Sequence, residues 1–111
     1  MEIKIVEKHC IITPLSPCLN EWELSRLIPE LKKHSQFKIG LDLSFVQDCT
    51  FNFIEFLLNF KELNLFNIPS NIFVILNCMK LNNLLNLFVS EQDFLTSSHR
   101  LVMRDFYLVE R

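Results

Sequence analysis

Over residues 37–66 the chain reads FKIGLDLSFVQDCTFNFIEFLLNFKELNLF, and its apolar positions change period partway through. Phe37, Ile39, Leu41 and Leu43 alternate with Lys38, Gly40, Asp42 and Ser44, the two-residue period of a strand with one buried face. Gln47, Asp48, Cys49 and Thr50 interrupt that pattern. The Thr50 hydroxyl is suited to accept a first-turn N–H, so a helix capped by Thr50 is expected over 51–66. At about 100° per residue, Phe51, Ile54, Leu58 and Leu65 fall on one side of it and form the expected core stripe. Phe53, Phe56, Phe60 and Leu63 make a second stripe that points well away from the first, with Leu57 joining the two. Asn52, Glu55, Asn59 and Glu62 are left as the polar face, so the apolar arc is wider than one sheet contact needs. Such a helix is either wedged between neighbours or leaves a Phe edge for a partner.

Two β-like runs precede this stretch, near 2–6 and 10–15. A hairpin accounts for them, with Glu7, Lys8 and His9 as the turn, and Pro14 and Pro17 close the second run. Asn20 followed by Glu23 has the shape of a capping box and opens a helix over 20–34. Leu24, Leu27, Ile28 and Leu31 form its buried stripe; Glu23, Arg26, Glu30 and Lys33 form a solvated, mutually paired face. Pro29 lies inside this pattern and predicts a kink or break near Ile28. Trp22 lies off the core stripe and either packs over the Pro-rich loop before it or anchors a partner.

Beyond the aromatic helix, Pro69 and Ser70 stop the pattern, and the IFVIL run at 72–76 predicts a strand buried on both faces. Leu81, Leu84, Leu85 and Phe88, opposite Asn82, Asn83 and Asn86, predict a helix over 79–89. A short edge strand is expected at 94–96. A last helix is expected over 98–109, opened by Ser97 or Ser98, with Leu101, Val102, Phe106 and Val109 on its apolar side. The order β, β, α, β, α, β, α, β, α predicts one α/β domain over 1–111, with a mixed, mostly parallel sheet, an N-terminal hairpin and about four helices.

Composition narrows the function classes. Half of the 111 residues are apolar and 22% are charged, which excludes disorder and allows a core without disulfides or metals. Net charge is −2 and the basic residues are scattered, so no nucleic-acid partner is expected. Apolar runs are too short for a signal peptide or a bilayer span, so a cytoplasmic protein with no direct membrane insertion is expected. Cys10, Cys18, Cys49 and Cys78 stand far apart in sequence, without metal-ligand spacing, and are read as buried thiols. The lack of alanine beside abundant Phe, Leu, Ile and Asn fits an AT-rich genome and carries no functional information.

Catalytic motifs do not appear. The only glycine, Gly40, sits inside a predicted strand, so no Gly-rich phosphate loop can form and no cofactor is expected. Asp42, Asp48 and Glu55 are accounted for as strand edge, loop and helix surface rather than as an acid/base pair. A catalytic residue is therefore not assigned, and an enzyme is not expected.

Three stretches carry a likeness to a known family. Pro14-Leu-Ser-Pro-Cys-Leu-Asn20 resembles the turn into the first helix of STAS domains, with Pro17 where Gly is usual and Asn20 where Asp is usual. Leu41-Asp-Leu-Ser44 followed by Val46 resembles the family's central strand. Leu84-Leu-Asn-Leu87 through Phe94 resembles its Leu-rich third helix and the strand after it, with Val89 and Ser90 replacing Gly-Leu. STAS domains form bacterial anti-sigma-factor antagonists and the cytoplasmic tails of sulphate transporters. The resemblance implies a non-catalytic protein-interaction module that binds through the second helix and the loop before it.

Phosphoregulated members carry Asp-Ser-Ser-Gly, or a Thr variant, where this chain has Thr50, Phe51, Asn52 and Phe53. The acceptor position is thus Asn52, which cannot be phosphorylated, and Thr50 is left as a displaced candidate acceptor, with Ser44 as another. Partner-binding residues are expected among Gln47, Asp48, Thr50, Phe51, Asn52, Phe53, Phe56 and Phe60. The partner implied is an anti-sigma kinase-like protein or, for a STAS subunit of a phospholipid-transporting ABC complex, the transporter ATPase. At least two of Phe53, Phe56 and Phe60 are expected to be accessible, in a homodimer or partner contact.

Overall fold

The computed structural model describes residues 1–60, 62–81 and 84–97, together with the backbone of residues 101–104 and 107–110. The chain opens with the expected hairpin: β1 (Glu2–Val6) and β2 (His9–Thr13) pair antiparallel, with Ile3 opposite Ile12 and Ile5 opposite Cys10. Glu7 takes the left-handed conformation in the turn, and His9 is the first residue of β2 rather than a turn residue. β3 (Cys18–Leu19) leads into α1 (Glu21–Lys33). Asn20 caps α1 as expected, its Oδ1 accepting the Glu23 N–H at 3.1 Å. Leu24, Leu27 and Leu31 are buried, and α1 runs unbroken past Pro29, correcting the expected break.

β4 (Lys38–Asp42) follows, then β5 (Asp48–Cys49), α2 (Phe51–Asn59) and β6 (Asn64–Phe66). Next come α3 (Ser70–Cys78), β7 (Asn86–Leu87) and α4 (Glu91–Thr96), and finally β8 (Leu101–Arg104) and β9 (Tyr107–Glu110). The main sheet has the order β1-β2-β4-β6-β7, antiparallel at the hairpin and parallel elsewhere. The fold class is therefore as expected: a mixed, mostly parallel sheet with an N-terminal hairpin and, among the described residues, four helices. None of these helices is long and apolar enough to cross a membrane.

From residue 60 onward the element types were displaced by one position. The 72–76 run expected as a parallel strand lies in α3, where Ile72, Phe73 and Leu76 are buried while Val74 and Ile75 are exposed. An uninterrupted apolar run reads as a buried strand only when both faces are covered, and here one face is open. The parallel strand is instead β6, inside the stretch expected to extend α2. The helix over 79–89 is replaced in part by β7, and the edge strand at 94–96 by the end of α4, capped by Ser90 through the Asp93 N–H. Ser97 ends α4 in the left-handed conformation. Of the expected last helix, 98–100 and 105–106 lie outside the described residues, while β8 and β9 pair antiparallel.

Strand alternation divides the interior into two layers. Cys10, Ile12, Leu41, Leu43, Leu65 and Leu87 face α1, α2 and α3, where they meet Leu27, Phe53, Leu57 and Ile72 in the larger core. Ile11, Phe66 and Phe88 form a smaller core with Phe94 of α4. Phe94 also explains the glycine in β4. A Cβ on Gly40 would come within 2.6 Å of that ring, so only a bare backbone lets the ring lie against the sheet. Lys4 reaches Glu91 at 2.9 Å and ties the edge strand to α4.

Candidate interaction surface at the carboxyl end of the sheet

α1 and α2 start side by side because the strands before them are paired. β3 and β5 form a parallel two-residue ribbon, Cys18 opposite Asp48 and Leu19 opposite Cys49, and each strand passes through one extended residue into its helix. The Gln47 and Asp48 N–H groups both donate to the Pro17 carbonyl, at 2.7 and 3.0 Å, and the Thr50 N–H donates to Leu19 O at 3.0 Å. Asn52 Nδ2 donates to Glu21 Oε1 and links the two first turns. Around this ribbon lie the loops that leave the carboxyl ends of β2, β4, β6 and β7, the end at which open α/β sheets place their binding sites.

These loops are held in one arrangement by polar bonds. Asp42 Oδ1 accepts from the Ser44 N–H and from Asn67 Nδ2, both at 3.0 Å. Asn67, in the left-handed conformation, donates its N–H to Val89 O at 3.3 Å. Asn71 Nδ2 donates to Gln47 O at 2.7 Å. Asp42 and Asn67 are thus occupied in positioning backbone, and Asp48 spends one oxygen on the Cys49 N–H at 2.8 Å.

The aromatic residues divide differently from the sequence reading. Phe53 and Phe56 are buried and Phe60 is half-buried, in a run of stacked rings with centroids 6.2 and 5.0 Å apart. The expectation that at least two of these three are accessible is therefore overturned, and a Phe53→Ser/Phe56→Ser change would strike the core. Both were expected in the partner-binding set and they leave it. Phe51 and Leu58, expected on the core stripe, point outward, with Phe51 62% exposed. α2 turns its Phe53, Ile54, Phe56 and Leu57 arc into the larger core, where it shares a buried cluster with the sheet and α1.

Three large aromatic side chains stand exposed among the described residues, and all three belong to this end of the molecule: Trp22 at 70%, Phe45 at 56% and Phe51 at 62%. Trp22 and Phe51 lie in the first turns of α1 and α2, and Phe45 lies in the turn closed by the Val46 N–H donating to Leu43 O. Leu15, after β2, and Val89, after β7, add exposed aliphatic surface. Trp22, expected either over the Pro-rich loop or as a partner anchor, leaves most of its surface open to solvent. Phe45 was missed in the sequence, although it breaks the alternation by following Ser44 with two apolar residues in a row. The structure brings Gln47, Asp48, Thr50, Phe51 and Asn52 together on the ribbon and the first turn of α2.

Thr50 occupies the cap position of α2, but its hydroxyl makes no capping bond there and donates instead to Leu19 O at 3.4 Å. Ser44 is exposed. Of the four thiols, only Cys10 is fully buried; Cys18 and Cys49 are half-buried and Cys78 is exposed, correcting the expectation of buried thiols. Burial raises the Cys10 thiol pKa, with Glu30 adding to the effect. Cys49 is pushed up to about 11 by burial first, then by Asp48 and Cys18. Among the described residues no group of three or more His, Cys, Asp or Glu side chains could hold a metal ion. A cavity of about 270 Å³ lies at the other end of the sheet, lined by Leu31, Phe37, Ile39, Phe60 and Leu63 among others. No family model matches the chain, and neither curated proteins nor solved structures provide a match.

Proposed function

We propose that the chain is a STAS-like, non-catalytic protein-interaction module of the anti-sigma-factor-antagonist kind, and that it binds its partner at the carboxyl end of the sheet. The observation that carries this reading is the exposure of Trp22, Phe45 and Phe51 at one end, on two helix first turns and the β4–β5 turn, beside loops joined by hydrogen bonds. Exposed aromatic side chains on a preorganised surface are the usual anchors of protein interfaces, because little ordering entropy is lost when they are covered. Asn52 at the acceptor position, bonded to Glu21, leaves the module without phosphorylation control there.

Photo-crosslinking tests it. A photoreactive phenylalanine analogue at 45 or 51 is expected to give one discrete protein adduct, while the same probe at Val74 on α3 gives none. A discrete adduct from 74 alone would place the interface elsewhere.

A second reading makes Thr50 a phosphoacceptor, favoured by a hydroxyl that is not spent on capping α2. A phosphate there would gain from the helix N-terminus and be opposed by Asp48. Incubation with a surrogate anti-sigma kinase and ATP is expected to add no phosphate at Asn52 or at Thr50. A stoichiometric phosphate on Thr50 by intact-mass spectrometry would establish the second reading instead.

A further inference from the structure

The end that carries the exposed aromatics is also distinguished by charge. Residues 10–25 and 39–60, which supply the ribbon, α2 and the start of α1, contain Glu21, Glu23, Asp42, Asp48 and Glu55 but no Lys, Arg or His. Glu21 and Glu23 bracket Trp22, and Asp48 lies three residues before Phe51. At the opposite end the exposed charges are mixed, with Lys8 in the β1–β2 turn, Lys32 and Lys33 at the end of α1, Lys38 at the start of β4 and Lys80 after α3 beside the acids Glu7 and Glu62. The dipole of α1 favours its part of this placement, with Glu21 and Glu23 at its start and Lys32 and Lys33 at its end. The consequence for binding is separate: a partner that covers Trp22 and Phe51 meets Glu21, Glu23 and Asp48 as the nearby charges of these two segments, with Arg26 one turn further along α1 from Trp22.

We infer that the partner presents a basic amphipathic segment, with large apolar side chains on one face bordered by Lys or Arg. This rests on the proposed interaction function and names the chemistry of its partner. The apolar face of such a segment covers Trp22, Phe45 and Phe51 while its basic border meets Glu21, Glu23 and Asp48. Charge complementarity of this kind speeds encounter and rejects acidic competitors, while the aromatic anchors supply most of the affinity. An anionic membrane surface or a nucleic acid would be repelled by the same carboxylates.

Trp22 is the only tryptophan and reports on its own surface. The probe is a synthetic peptide of about 18 residues, Leu and Phe on one helical face and Lys and Arg on its borders. It is titrated into the full chain beside a scrambled peptide of equal composition and a version with Glu replacing each base. The expected result is a saturable blue shift of Trp22 emission with the basic amphipathic peptide, weakening as salt is raised. Binding at least about tenfold weaker is expected for both control peptides, and for Glu21→Lys/Glu23→Lys, Asp48→Lys or Phe51→Ser protein. Lys32→Glu/Lys33→Glu should bind as the natural chain does.

Asp48 is exposed and its change spares the Glu21–Asn52 bond, so Asp48→Lys keeps the test decisive should the double variant fold poorly. Equal binding of the scrambled peptide or of the acidic peptide would overturn the inference, as would no binding at all. Concentration-dependent self-association without peptide, lost in Asp48→Lys, would overturn it in favour of the lysine end of a second copy. The proposed function fails separately, by loss of the adducts from 45 and 51.

Discussion

α1 and α2 leave the same ribbon, Cys18–Leu19 and Asp48–Cys49, through the extended residues Asn20 and Thr50, but they are secured by different means. Asn20 gives its side chain to the first turn of α1, which also carries Glu21 and Glu23, and the helix runs for 13 residues with one buried stripe. Thr50 gives no such bond, the first turn of α2 has no acidic residue, and the helix lasts 9 residues. A helix that short is marginal without tertiary support, and α2 obtains it from Phe53, Ile54, Phe56 and Leu57 against the sheet. α1 is therefore held by local and tertiary terms together, α2 chiefly by burial, with the Asn52–Glu21 bond as a tertiary link at its first turn. The first turn of α2 is left with a hydroxyl and an exposed Phe51 that its own stability does not require.

The strongest way to break this comparison is Phe53→Ala. Phe53 is fully buried, and its truncation is expected to cost about 3–5 kcal/mol in urea unfolding, a large share of a domain's total stability. A cost below about 1 kcal/mol would mean that burial does not hold α2. Cap substitutions sharpen the contrast at a smaller scale: Asn20→Ala is expected to cost about 1 kcal/mol, and Thr50→Ala only a few tenths. Equal costs would show that both caps work alike.

The smallest expected effect concerns the ribbon itself. The Cys49 thiol, ordinarily near 9, is pushed up to about 11. The unfolded chain loses this proton near 9 and the folded chain only near 11, so between those values the unfolded state binds fewer protons. Cys49 thus contributes a fall in stability as pH rises through that window and none below it. Cys49→Ser is expected to fall less between about pH 8 and about pH 10, as read from urea midpoints.

Much of the first half of the fold was legible, since there the signals are local. Asn20 three residues before Glu23, the alternation from Phe37 to Leu43, and the Leu24, Leu27 and Leu31 spacing each have one structural solution. After residue 60 the signals became tertiary. The three-residue β6 is too short to show a period, and its Asn64 is buried with its amide donating to Ile39 O at 2.9 Å, which no pattern announces. The 72–76 run is apolar on all sides although α3 buries only one, so its periodicity carries no helical signal.

The site was partly legible for the same reason. Gln47, Asp48, Thr50 and Asn52 were found because they interrupt a pattern. The choice between the two stripes of α2 depended on where the sheet and α1 lie against it, which the sequence of α2 does not contain.

The division of α2 into a buried aromatic arc and an exposed Phe51 is tested most directly by Phe51→Ser, followed for stability and partner adduct in the same preparation, with the photoreactive probe at 45. The urea midpoint is expected to move by no more than about 0.5 kcal/mol equivalent while the adduct is lost. A destabilisation of about 2 kcal/mol or more with the adduct retained would make Phe51 core and contradict the account.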